Sequence, residues 1–93
     1  MQVGVLELTL FVSNSRSLKD KRMVIKSLKE RLKKNFNVAI SEVDDQDKWQ
    51  KATLGIAAIG NDAAYINCIL DKAADFAGSD PDVKVLDYHI DIL

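Results

Sequence analysis

The stretch QVGVLELTLFVSNSRSLKDKRMVIKSLKERLKKNF, residues 2–36, decides the fold, because one hydrophobic periodicity gives way to another within it. Over residues 2–12 the side chains alternate between two faces, and this period of two predicts a β-strand. Over residues 18–36 the apolar residues recur at helical spacing, which predicts an amphipathic α-helix. Ser17 stands three residues before Asp20, the S-x-x-D form of a helix N-capping signal.

The remaining elements follow from the same two periodicities. Residues 37–43 and 50–59 are predicted strands, Asp62 is the predicted N-cap of a second helix, and residues 83–92 alternate as a last strand. The order β-α-β-β-α-β predicts an α+β, ferredoxin-like sandwich over a single domain, residues 1–93. Right-handed connections give a four-stranded antiparallel sheet in the order 4-1-3-2, with both helices on one face.

Composition narrows the class of protein. Hydrophobic residues make up 47% of the chain and charged residues 29%, which is typical of an ordered globular domain. A single cysteine, Cys68, excludes an internal disulfide and a multi-cysteine zinc site, and its apolar context on the second helix predicts a small buried residue. There is no basic leader, and no apolar run reaches the roughly 18 residues of a membrane span. We therefore expect a cytoplasmic protein that does not enter membranes.

Positive charge is concentrated in one segment. Residues 16–34 carry nine of the thirteen basic side chains and two acidic ones, a local net charge of +7, although the whole chain has a formal net charge of −1. On a helical wheel most of these cations fall on one flank of the first helix, beside its apolar stripe. The flank comprises Lys19, Arg22, Lys26, Lys29 and Lys33, and Arg16 and Lys34 extend it at the two ends.

This row of cations points to an anionic partner. Like charges on one helix flank repel each other and weaken the helix, and of the five flank residues only Lys26 has an acidic residue, Glu30, four positions away. Phosphate contacts would offset that repulsion, so we predict a non-enzymatic protein that binds RNA or a ribosomal subunit through these seven residues. A solvated face that only confers solubility, and an acidic protein or membrane surface as partner, remain the alternatives for this segment.

Three motifs resemble the YlxP-like family of small bacterial proteins. They are SRSLKDKR at residues 15–22, EVDDQDKWQKATLGIA at residues 42–57 and GND at residues 60–62. The resemblance covers residues 2–93 and implies a ferredoxin-like fold. Genes of this family tend to lie among translation-factor and ribosome-maturation genes, so the resemblance also implies a role associated with RNA or the ribosome. It implies no reaction and no catalytic residues.

Trp49 and the acidic residues before it form the second candidate site. The acidic residues Asp44, Asp45 and Asp47 lack the glycine and terminal glutamate of a calcium loop, so a solvated turn is predicted rather than a metal site. Trp49 either folds over the edge of the core or, if exposed, stacks on a base or anchors a partner. We predict the role of partner anchor.

No catalytic constellation accompanies these features. His89 shares a strand face with Asp87 and Asp91 and is predicted to be a surface residue held by a charged partner. No second histidine, activated nucleophile or oxyanion motif is present, so we predict no enzyme activity, no metal and no cofactor.

The strand periodicities also predict the two faces of the sheet. The face toward the helices should carry Leu6, Leu8, Leu10, Leu54, Ile56, Leu86, Tyr88 and Ile90. The opposite face should carry Val3, Val5, Phe11, Ala39, Val43, Ala57, Ile59, Val83 and Val85. So large an apolar surface predicts a homodimer through the open sheet face, although a β-bulge would exchange residues between faces. The alternative function is a dimeric small-ligand-binding or regulatory domain of the ACT type, which would use this face.

Overall fold

The computed structural model describes residues 1–93 as six elements that form one sheet and one helical layer. In chain order they are β1 (Gln2–Val12), α1 (Leu18–Asn35), β2 (Ala39–Asp44), β3 (Lys51–Gly60), α2 (Ala63–Gly78) and β4 (Val83–Ile92). The strands form an antiparallel sheet in the order β2-β3-β1-β4, which is the predicted order 4-1-3-2 counted from the other edge. The ferredoxin-like α+β prediction is confirmed. Neither helix is both long and apolar enough to cross a membrane.

Both helices begin at the predicted caps. Ser17 is the N-cap of α1, and its hydroxyl accepts a hydrogen bond from the Asp20 backbone N–H at 3.1 Å. The Asp20 carboxylate in turn accepts one from the Arg16 backbone N–H at 3.1 Å, so the residue before the cap is also satisfied. Asp62 caps α2 by accepting from the Ala64 N–H at 3.1 Å.

The core lies between the sheet and the two helices. β1 contributes its even-numbered residues from Leu6 to Val12, and α1 contributes Ile25, Leu28 and Leu32. Gly4 lets α2 lie close on the sheet, because a Cβ at that position would stand 2.5 Å from the Ile66 side chain. Burial of this apolar surface provides most of the free energy that stabilises the sandwich.

The predicted faces of β4 are wrong for its first residues because the strand contains a bulge. Thr9 pairs with Asp87 but Leu10 pairs with Val85, so Leu86 has no counterpart on β1. Val83 and Val85 therefore turn toward the helices, and Val83 is only 6% exposed. Leu86, predicted for the core, is 52% exposed.

Two further residues are more exposed than the sequence predicts. Cys68 is exposed rather than buried, because it follows the core residue Ile66 by two positions and thus lies on the opposite side of α2. Tyr88 pairs with Leu8 on the side of the helices as predicted, but β4 is an edge strand and the ring remains half exposed.

The opposite side of the sheet, called the open face here, is uncovered. The exposed large apolar residues on or beside it are Phe11, Val43, Trp49, Ile59 and Leu86. Its centre is flat, because Gly55 pairs with Glu7 on one side and Ser41 on the other. The Val43 side chain lies over Gly55, where a Cβ would approach it to 2.9 Å.

Candidate nucleic-acid interface

The predicted cationic residues form one surface on α1, called the basic face here. α1 buries its apolar stripe against the sheet, which leaves the neighbouring flank in solvent. Lys29 is partly buried at the border and the others are exposed. No carboxylate oxygen lies within 4.0 Å of the charged nitrogens of the seven cations, and Asp20 contacts Arg16 only through its backbone N–H. The basic face comprises Arg16, Lys19, Arg22, Lys26, Lys29, Lys33 and Lys34.

Two other basic residues of the same segment do not belong to the basic face. The Arg31 guanidinium pairs with the Asp80 carboxylate, whose side chain is 2% exposed. Lys21 is completely buried, with 0% exposure. These two cations neutralise acids inside the fold, so the charge available to a partner comes from the seven residues of the basic face.

The Lys21 ammonium joins α1 to the β2–β3 hairpin. It donates to the Glu42 carboxylate at 2.9 Å, to the Asp45 carbonyl at 2.6 Å and to the Lys51 carbonyl at 3.1 Å. An ammonium has three donors, and all three are used. The sequence does contain a signal for this burial, since Lys21 precedes the core residue Ile25 by one helical turn and so lies on the apolar stripe.

The β2–β3 loop, residues 45–50, is held by Asp45. This residue adopts a left-handed conformation with φ of 64°, which aspartate tolerates better than most residues. Its carboxylate accepts from the Thr53 hydroxyl at 2.8 Å and pairs with Lys48 at 3.0 Å and Lys51 at 3.7 Å. The hydrogen bond from Lys48, together with that from Thr53, lowers the pKa of Asp45 below its ordinary value.

Trp49 lies near the end of this loop, outside the core. Its side chain is 56% exposed, so of the two predicted placements the structure shows the exposed one. Trp49, Phe11 and Leu86 are the apolar walls of a 480 Å³ pocket at the end of the open face, called the Trp49 pocket here. The other lining residues are Asp47, Lys48, Gln50 and Lys51.

Similarity to known sequences identifies the family. A family model described as "Protein of unknown function (DUF503)" matches residues 3–90. The chain belongs to the DUF503 family. A relative from Bacillus subtilis (strain 168), "Uncharacterized protein YlxP", is 34% identical over 82 residues, which cover 88% of this chain and 89% of the relative. The predicted resemblance to YlxP-like proteins is confirmed.

The only histidine of this DUF503 protein lies at the surface. His89 is exposed, and its Nε2 lies 3.1 Å from the Asp91 carboxylate, in agreement with the predicted charged partner. His89 also stands opposite Glu7 in the register of β1 and β4. No three His, Cys, Asp or Glu side chains are close enough together to hold a metal ion, and this includes the acidic residues of the β2–β3 loop.

The depressed pKa of Asp45 predicts a pH dependence of stability. A carboxylate whose pKa is lowered in the folded state stabilises that state at pH values above its ordinary pKa of about 3.9. This contribution disappears as the pH falls through the lowered pKa of the folded state. Asp45→Asn should therefore be less stable than the unaltered protein at pH 7, and the difference should shrink below about pH 4. Urea unfolding at pH 7 and pH 3 measures both values.

The neighbouring Asp47→Asn serves as the matched control. Asp47 is exposed and makes no ion pair or hydrogen bond through its side chain, so its replacement should leave the free energy of unfolding unchanged at both pH values. If the difference between Asp45→Asn and the unaltered protein is the same at pH 7 and pH 3, the stabilising role of the ionised Asp45 is refuted.

Proposed function

We propose that this protein is a non-enzymatic RNA-binding module, and that its basic face contacts the phosphates of RNA. The family resemblance suggests a ribosomal subunit as the partner that carries this RNA. The observation that supports this is the set of seven cations whose charged groups form no ion pair with a carboxylate, on a chain whose net charge is −1. Phosphate contacts release condensed counterions, which favours binding to any such cationic surface. Binding to ribosomal RNA would place the protein in the cytoplasm.

The shape of α1 suits contact with a phosphate backbone. The helix has 18 residues, so it extends over about 27 Å. Lysine and arginine side chains along it reach a partner at successive turns, and only two acidic residues, Asp20 and Glu30, interrupt the segment. Contacts of this kind fix the position of the protein but do not select a sequence, so weak sequence selectivity is expected.

The open face is less suited to be the main RNA surface. RNA-recognition domains of this fold present aromatic side chains on their central strands, where bases stack. Here β3 has no aromatic residue, and β1 has only Phe11, at its end. The acidic side chains Glu7, Asp87 and Asp91 lie across β1 and β4 and would repel phosphates. The basic face therefore carries the proposal.

The salt dependence of RNA binding tests the proposal. The logarithm of the affinity should fall by about 0.7 to 0.9 for each contacted phosphate per tenfold rise in salt concentration. The anisotropy of fluorescently labelled RNA, titrated with protein from 50 to 200 mM salt, gives this slope. Affinity that does not change with salt, or no affinity at 50 mM salt, refutes the proposal.

A groove on the open face supports the ACT-type alternative. It measures 320 Å³ and lies between β2 and β3, lined by Val5, Ala39, Val43, Gly55 and Ala57 among others. A small apolar ligand fits such a surface better than an anion does. Purification at low salt distinguishes the two proposed functions. Ribosomal particles that copurify with the protein favour RNA binding, and a bound metabolite favours the ACT-type alternative.

We also propose that a second copy of the chain covers the open face around Val5 and Ala57, without the end that carries Phe11. About eight residues in each of β1, β3 and β4 and the six residues of β2, with strands about 4.8 Å apart, present roughly 500 Å² per protomer. Two such surfaces reach the roughly 1,000 Å² of a weak biological interface. A two-fold dimer centred there leaves both basic faces on the outside. Phe11 lies about 20 Å along β1 from Val5, so the Trp49 pocket also remains accessible.

Val5→Glu should separate this dimer and leave the fold intact. Val5 is partly exposed on the open face, and a carboxylate there would be buried without a partner in the dimer. Sedimentation at tens of micromolar should show a monomer, with an unchanged circular dichroism spectrum. Asn67→Glu, at an exposed position of α2, is the control and should remain dimeric. An unaltered protein that sediments as a monomer would contradict the proposal.

A further inference from the structure

The Trp49 pocket adjoins the start of the basic face. Gln50 lines the pocket, and its side-chain amide donates to the Ser15 carbonyl at 3.2 Å. Ser15 directly precedes Arg16, the first residue of the basic face. The Gln50 carbonyl accepts from the Val12 N–H at 2.8 Å, which fixes the loop to the end of β1. One partner can therefore contact both surfaces.

The walls of the pocket suit a flat aromatic ring. Trp49 is 56% exposed, Leu86 is 52% exposed and Phe11 is 36% exposed, so all three present apolar surface to solvent. Bases stack on aromatic side chains without regard to sequence, because every base has a π-face. The pocket volume of 480 Å³ leaves room for one base and part of its sugar.

The charges around the pocket disfavour a phosphate inside it. Lys48 and Lys51 both pair with the Asp45 carboxylate, at 3.0 Å and 3.7 Å, and Asp47 also lines the pocket. A neutral ring avoids the repulsion that these acids exert on an anion. Lys84 stands opposite Phe11 in the register of β1 and β4 and has no acid within 4.0 Å, so it can contact a flanking phosphate.

We infer that the Trp49 pocket receives an unpaired base of the same RNA strand whose phosphates contact the basic face. This inference rests on the proposed RNA binding and deepens it, because it makes single-stranded RNA the preferred ligand. Bases within a duplex are stacked on their neighbours and cannot enter the pocket, whereas their phosphates can still reach the basic face. Duplex RNA should bind more weakly and without the Trp49 pocket.

The chain contains one tryptophan, so its fluorescence reports on this pocket alone. A single-stranded RNA of twelve nucleotides should quench Trp49 fluorescence in a saturable way, and the same strand in a perfect duplex should not. Anisotropy of the labelled RNA gives the affinity independently. Trp49→Ala should weaken single-strand binding about tenfold and leave duplex binding unchanged, because a stacked base contributes roughly that factor. Trp49→Phe is the matched variant and should retain most of the affinity.

The melting temperature of Trp49→Ala should stay within a few degrees of the unaltered protein, since the side chain lies outside the core. The inference would be overturned if anisotropy showed single-strand binding while Trp49 fluorescence stayed unchanged and Trp49→Ala bound with undiminished affinity. The proposed function would then remain intact. A dimer lost in Trp49→Ala would also overturn it, because the pocket would then belong to the protein interface. No RNA binding at low salt would refute this inference and the proposed function together.

Discussion

The double variant Lys26→Glu and Lys29→Glu should lose at least about a hundredfold in RNA affinity and keep its fold. Both side chains lie in the middle of the basic face, and neither has an acidic partner within 4.0 Å. A hydrogen bond from a lysine to a phosphate contributes about 1.5 kcal/mol or more, which is about tenfold in affinity. The loss of two such contacts therefore gives about a hundredfold. The introduced carboxylates add repulsion, and anisotropy of labelled RNA at 50 mM salt measures the result.

A matched reversal on the other helix distinguishes local contact from the effect of net charge. Lys72→Glu on α2 changes the net charge as much as Lys26→Glu does, at an exposed position away from the basic face. We expect Lys26→Glu to weaken binding about tenfold and Lys72→Glu to have a much smaller effect. Equal losses in the two single variants would mean that the net charge of the molecule, and not the basic face, governs binding.

The fold follows from the sequence wherever periodicity is unbroken. β1 and α1 begin and end where alternation, the Ser17 cap and helical spacing predict. The register of β4 does not follow from a strict period of two, because the bulge at Leu86 shifts the alternation. The apolar residues that face the helices are Val83 and Val85 before the bulge, and Tyr88 and Ile90 after it. One inserted residue exchanged the faces of Leu86, Val83 and Val85.

The candidate site is predictable in part for similar reasons. The basic face follows from a helical wheel, because charge and helical spacing are local properties of the sequence. The Trp49 pocket cannot be predicted from local sequence, since Phe11, Trp49 and Leu86 come from three distant segments that only the sheet topology brings together. Composition alone does not distinguish Lys21 from the other cations of residues 16–34, but its place on the apolar stripe of α1 marks it as buried.

Lys21 also connects the two surfaces of the proposed site. Its ammonium holds the Asp45 carbonyl at the start of the loop that carries Trp49, and the Lys21 backbone belongs to the first turn of α1. Arg16, Lys19 and Arg22 therefore keep a fixed position relative to the Trp49 pocket. A rigid connection of this kind reduces the conformational entropy lost when one RNA strand contacts both surfaces.

Replacement of Lys21 by methionine should lower the free energy of unfolding by about 3 kcal/mol or more. Methionine fills the space of the alkyl chain but has no donor, so the Glu42 carboxylate and two backbone carbonyls lose their partner. Breaking one side of a buried ion pair typically costs about 3 to 5 kcal/mol, because the other charge stays behind without compensation. A loss of this size corresponds to a melting temperature about 12 °C lower or more in a domain of this length.

Two companion variants show whether the ammonium and its carboxylate are responsible. Lys19→Met alters an exposed lysine of the same helical turn, so its effect should stay within about 0.5 kcal/mol. Adding Glu42→Gln to Lys21→Met removes the uncompensated charge, so the double variant should recover part of the loss and be more stable than Lys21→Met alone. Urea unfolding followed by circular dichroism gives all three values. If Lys21→Met lies within about 1 kcal/mol of the unaltered protein, the three hydrogen bonds of Lys21 do not hold the hairpin to α1, and the rigid connection between the basic face and the Trp49 pocket fails with them.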